Sequence, residues 1–119
     1  MPSHTSQLGL YGEQAAVAHL REHGYTIHET NWHCRTGEID IIAQQDDMLV
    51  FVEVKTRRTS GTALAAITPT KRDRIISAVY AYLDAQELDD AAWRIDAISV
   101  TIKPHEAPMI QHVEDALDW

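Results

Sequence analysis

The stretch Gly37–Arg58, GEIDIIAQQDDMLVFVEVKTRR, decides how the rest of the chain is read. Two β-branched, apolar runs, Glu38 to Ala43 and Met48 to Thr56, flank the polar tetrad Gln44-Gln45-Asp46-Asp47, the pattern of a β-hairpin. Side chains alternate across a strand, so Leu49, Phe51, Glu53 and Lys55 share one face of the second run, and Val50, Val52 and Val54 share the other. Both faces are apolar up to Val52, as in a strand covered on both sides, and one turns ionic beyond it. With the tetrad as the loop, Glu38 falls opposite Glu53, and Asp40 lies diagonal to it within side-chain reach. Three carboxylates then crowd Lys55.

Like charges opposed in a sheet destabilise it, and an unpaired carboxylate out of water costs several kcal/mol or shifts its pKa until it is neutral. A cation has to compensate. Lys55 supplies one charge, whereas a divalent metal held by Asp40 and Glu53 supplies two, and carboxylate, carbonyl and water are the ligands Mg²⁺ or Mn²⁺ prefers. The plainer alternative is a strand end emerging into solvent, with Asp40, Glu53 and Lys55 as surface ion pairs that stabilise little. An acid-x-lysine triplet is short, and by itself leaves both readings open.

Asp40, a gap of twelve residues, then Glu53-Val54-Lys55 resembles the D-x(n)-[DE]-x-K signature of the restriction-endonuclease-like nuclease superfamily, in the hairpin context expected of it. The chain is also similar over nearly its full length to the YraN-like family of bacterial proteins within that superfamily. The similar segments are Gly9-Leu10-Tyr11-Gly12-Glu13, Gly37-Glu38-Ile39-Asp40, Phe51 to Arg57, Lys71 to Leu83 and Ile110-Gln111-His112-Val113. One departure is Ile39, where the wider superfamily often has proline before the aspartate; proline donates nothing to the chemistry and suits a strand interior poorly.

The resemblance implies an α/β sandwich whose mixed sheet of about five strands is flanked by helices. It also implies a metal-dependent endonuclease, with Asp40, Glu53 and Lys55 catalytic. Mg or Mn would be held by Asp40, Glu53 and the Val54 carbonyl, with Glu13 as a further candidate because related nucleases bring an acidic side chain from the first helix. The alternative from a different class is a non-catalytic adaptor on the same fold, binding structured DNA or a protein partner.

At 119 residues the chain fits one domain with a real core. Its one cysteine, Cys34, excludes an internal disulfide and reads as a reduced thiol rather than a zinc ligand. The apolar run Met48 to Val52 is far short of a membrane span, and the N-terminus MPSHTSQ has no signal region, so no membrane association and a cytoplasmic location are expected. A net charge of −8 argues against a protein that coats nucleic acid. The distribution matters more: six of the ten Lys and Arg residues lie from Lys55 to Arg74, whereas nine of the eighteen acids lie from Asp84 onward. Arg57, Arg58, Lys71 and Arg74 are therefore the candidate nucleic-acid contacts, DNA ahead of RNA, beside the proposed site.

In chain order, residues 1–7 read as a flexible tail. Gly9 to Gly24 reads as a helix with Glu13, Ala16, Val17 and Leu20 on its buried face, and His19 and His23 read as surface histidines. Tyr25 to Trp32 is the first strand and Asn31 to Gly37 a turn, where Arg35 either meets phosphate or caps the turn. A mobile loop over the site is expected after Arg58. Thr68 caps a second helix that has Pro69 at its first position, runs to near Leu88 and presents Arg72, Ile75, Ile76, Val79, Tyr80 and Leu83 on one face. Trp93 to Ile102 and Met109 to Val113 complete the sheet, with Asp96 paired to a neighbouring cation. A docked tail at Leu117 and Trp119 would suit a partner or a homodimer mate.

Overall fold

Among the residues that the computed structural model describes, 7–58 and 67–117, five strands and two helices follow one another as α1 (Gln7–Glu22), β1 (Thr26–Cys34), β2 (Gly37–Gln45), β3 (Met48–Arg57), α2 (Pro69–Ala85), β4 (Ala92–Thr101) and β5 (Met109–Val113). The strands lie in sequence order, β1-β2-β3-β4-β5. All neighbours are antiparallel except β3 and β4, which are parallel and joined through α2. This is an α/β fold with a mixed open sheet, compatible with the restriction-endonuclease-like sandwich.

A separate core fills each face of the sheet. On one, Ala16 and Leu20 of α1 meet Ile41, Val50, Val52, Ile98 and Val100. On the other, Ile75, Ala78, Val79, Tyr82 and Leu83 of α2 meet Ile42, Leu49, Phe51, Ile95 and Ala97. The alternation of the central strands thus sends odd positions of β3 to α2 and even ones to α1, and both faces are dry up to Val52, as the apolar pattern requires.

Several local expectations need correction. The first helix takes in Gln7, and Gly24 ends it with a left-handed φ of 87°. Residues Asn31 to Cys34 continue β1 instead of turning, and only Arg35 and Thr36 turn, because Cys34 pairs directly with Gly37. In α2 the inward aromatic is Tyr82, which meets Trp32 and Phe51 edge-on, whereas Tyr80 is 59% exposed and Arg72 also faces out. Thr68 caps this helix by accepting from the Lys71 amide at 3.2 Å. The expected loop after Arg58 falls on residues 59–66 and the expected tail on 1–6, and both lie outside the described residues, as does Trp119. Leu117 packs against the α2-side core.

His19 is also not a simple surface histidine. Its Nε2 lies 3.2 Å from Nδ1 of His112, whose Nε2 meets the fully buried Asp96 at 2.7 Å. Asp96 takes further hydrogen bonds from Arg94 and the Asp115 amide, each at 2.9 Å, and Arg94 reaches the Tyr25 hydroxyl at 2.8 Å. Burial alone would raise the Asp96 pKa, but the donors His112, Arg94 and Asp115 outweigh it and hold the carboxylate low. The cluster ties α1, β4, β5 and the C-terminal turn together, so Asp96 is structural as expected.

Candidate functional site

The hairpin turn is shorter than the tetrad suggests. Gln45 pairs with Met48, leaving only Asp46 and Asp47 to turn, with Asp46 at a left-handed φ of 52° that aspartate tolerates. Opposed pairs therefore shift by one alternation: the ladder ends with Ile41 facing Val52, and Asp40 rather than Glu38 comes next beside Glu53. The shift is even, so both side chains stay on one side of the sheet.

Beyond that pair the ladder opens, and the Asp40 carboxylate takes the place of a backbone acceptor, receiving the Val54 N–H at 2.8 Å. An irregularity in β2 accompanies this. Ile39 and Ile41, two residues apart, pack into opposite cores, and across from Asp40, between the pairs Thr30–Ile41 and Trp32–Ile39, Asn31 takes a left-handed φ of 54°. Its side-chain Nδ2 donates to Glu13 Oε1 at 2.9 Å. Asn31 was missed as a site residue because Asn31 to Gly37 reads as a turn; an asparagine within an otherwise strand-like run is the signal that was available.

Asp40 and Glu53 share a hydrogen bond between their carboxyl groups. Burial is the main reason that both pKa values are raised; for Glu53, whose side chain is 12% exposed, the neighbouring Asp40 adds to it and the value is pushed up to about 9. Glu13 is raised too, first by burial and then by Asp40 and Glu38, against the lowering effect of Asn31. The balancing cation is not the one expected. Lys71, from the first turn of α2, stands 3.4 Å from Glu53, whereas Lys55 is exposed and makes no ion pair among the described residues.

These groups line a cleft of about 770 Å³ where the sheet opens between the N-termini of α1 and α2. Glu13, Asp40, Glu53, Val54, Lys55, Lys71 and Arg74 all border it. Arg35 does as well, on the tight β1–β2 turn. Arg57 and Arg58 do not: Arg58 is exposed outside the cleft, and Arg57 is half-buried with its Nε unpartnered among the described residues. Two glycines set how closely the walls approach. A Cβ on Gly12 of α1 would run into the Thr56 side chain, and one on Gly37 would run into the Arg74 carbonyl of α2.

Among the described residues no three His, Cys, Asp or Glu side chains form a ready-made metal cage. The donor chemistry nevertheless fits a hard divalent ion. Mg²⁺ is commonly bound through one or two carboxylates plus water and substrate phosphate, and here two largely buried carboxylates are forced together with one partly exposed ammonium to offset them.

Fold and site together define an α/β sandwich with an acidic pair and two lysines at the open end of its central hairpin. The chain belongs to the uncharacterised protein family UPF0102, the YraN-like proteins, whose profile matches residues 12–100. It is 45% identical over 114 residues to a UPF0102 protein of Chloroflexus aurantiacus, covering 95% of this chain and 94% of that one. A UPF0102 protein of Geobacter sulfurreducens is 42% identical over 117 residues, covering 97% and 91% of the two chains. One from Syntrophus aciditrophicus is 45% identical over 112 residues, covering 92% and 87%. No helix in the described part is long and apolar enough to cross a membrane.

Proposed function

We propose that this protein is a metal-dependent nuclease hydrolysing phosphodiester bonds, with DNA favoured over RNA. The observation that carries the reading is the Asp40–Glu53 pair, largely buried and hydrogen-bonded to each other where β2 and β3 part, in a cleft shared with Lys55 and Lys71. A structural ion pair has no need to crowd two acids, whereas a cation site does, and perturbed carboxylates in a cleft are a physical signature of function.

Asp40 and Glu53 would hold Mg²⁺ or Mn²⁺, with the Val54 carbonyl completing the protein ligands and Glu13 reaching the site through water. When bound, the ion supplies charge neutralisation at the phosphoryl oxygens and the leaving group. Lys55, exposed at the cleft and two residues from Glu53 on the same strand face, orients the attacking water and offsets the charge that grows on the phosphate. Hydrolysis forms one P–O bond from that water and breaks the bond to the departing strand end. Arg74 and Arg35 extend the basic wall along which the backbone would lie.

The test is cleavage of a panel of single-stranded, duplex and branched DNA and RNA with Mn²⁺ or Mg²⁺. Activity is expected in metal and lost in chelator, with Lys55→Ala lowering turnover by roughly two to three orders of magnitude. A wild-type protein inert on every substrate would instead favour the non-catalytic adaptor.

A further inference from the structure

Resting on that reading, we propose that Lys71 is a second catalytic lysine, one that grips the scissile phosphate itself rather than belonging to a general backbone-binding patch. Its ammonium is 3.4 Å from Glu53 of the acidic pair, although it comes from a different element than the motif lysine.

The placement is built from both ends. Thr68 caps α2 by accepting from the Lys71 amide at 3.2 Å, and Pro69 begins the helix, so the backbone that carries Lys71 is pinned at the cleft wall. The tip is pinned by Glu53, whose own side chain is largely buried while that of Lys71 stays 40% exposed. An ammonium held at one side and open at the other can accept an anion without leaving its partner. Lys55 rises from the same face of β3 two residues beyond Glu53, about 7 Å along the strand. Both lysines border the cleft that Glu53 lines.

A phosphodiester seated there has one charge, and a further charge develops on its equatorial oxygens as water adds. Preorganised cations on those oxygens lower the barrier more than they tighten the ground state. This separates Lys71 from Arg74 and Arg35, which border the cleft but make no ion pair with the acidic pair among the described residues. The contact with Glu53 also aims the ammonium. Arginine at this position would place a wider, planar group on the same carboxylate and not reproduce the point charge.

The experiment compares wild type, Lys71→Met, Lys71→Arg and Arg74→Ala. It measures single-turnover cleavage at saturating enzyme in Mn²⁺, oligonucleotide affinity in chelator by fluorescence anisotropy over a salt series, and urea midpoints as a check of folding. The expected result is a cleavage rate roughly a hundredfold lower in Lys71→Met. Its affinity should change by no more than about fivefold and its midpoint stay near wild type. Lys71→Arg should recover only part of the rate, and Arg74→Ala should weaken affinity and flatten the salt slope by about 0.7 to 0.9, with a smaller loss of saturated rate than Lys71→Met. A substrate carrying an uncharged methylphosphonate at the mapped cleavage position should bind wild type and Lys71→Met equally. A Lys71→Met protein that cleaves at the wild-type rate once saturated, or that still differs from wild type in binding the methylphosphonate, overturns the assignment. Wild type failing to cleave any substrate brings down the nuclease reading and this one together, a result distinct from either.

Discussion

Replacing Glu53 with glutamine should make the protein more stable, and increasingly so as the pH rises. In the folded chain Glu53 is 12% exposed, hydrogen-bonded to Asp40 and pushed up to about 9, against 4.5 for the free side chain. A carboxyl whose folded pKa lies above its unfolded one holds a proton that the unfolded chain has already released. Stability is therefore complete below about pH 4.5 and is lost progressively as the pH rises toward 9. At about 1.4 kcal/mol per pH unit, the loss accumulated by neutral pH is about 3 kcal/mol. Glutamine carries the same shape without the titration, and the Lys71 ammonium that it leaves is exposed enough to return to water at little cost. Urea denaturation in chelator at several pH values between about 5 and 8 measures this. Glu53→Gln should match wild type near pH 5 and exceed it by about 3 kcal/mol near pH 7. Parallel profiles for the two proteins, or a variant less stable at neutral pH, would refute the claim that the pair is held together against its own charge.

Asp96→Ala should cost about 3 to 5 kcal/mol by chemical denaturation, because it strands the half-buried Arg94 and His112 and unties β5 from the core. The His19 pKa is lowered mainly by burial, so its contribution to stability is lost as pH falls through its ordinary value, and His19→Gln should blunt the wild-type decline in acid. Gly37→Ala should lose about 1 to 3 kcal/mol, since the new methyl meets the Arg74 backbone rather than a movable side chain. Thr68→Ala should lose about 1 kcal/mol with the cap of α2, and lower cleavage beyond what that loss explains, because the cap also fixes Lys71.

Much of the fold is legible because hydrophobic period and burial are the same fact. The doubly apolar run of β3 announces a central strand, Thr68-Pro69 announces a helix start, and the Met109–Val113 strand sits where its alternation places it. Register was the weak point. A polar tetrad does not say how many of its residues turn, and pairing through Gln44 and Gln45 puts Ile41 opposite Val52 and so brings Asp40, not Glu38, to Glu53. Tyr80 and Tyr82 exchange places for a related reason: neighbours along a helix differ by 100° or more in direction, and only the packing of Trp32 and Phe51 fixes which ring goes inward. The partnership of Lys71 with Glu53, like that of Asn31 with Glu13, joins elements far apart in sequence and leaves no local pattern to read.

Calorimetric titration of Mn²⁺ into wild type and Asp40→Ala, each in two buffers of different ionisation enthalpy near pH 7, tests the central claim most directly. A cation site made by Asp40 and Glu53 predicts one bound ion per chain in wild type, with release of roughly one proton from the shared carboxyl pair, and neither binding nor release in the variant. Wild type that binds no ion, or Asp40→Ala that binds it as tightly with the same proton count, would contradict the account.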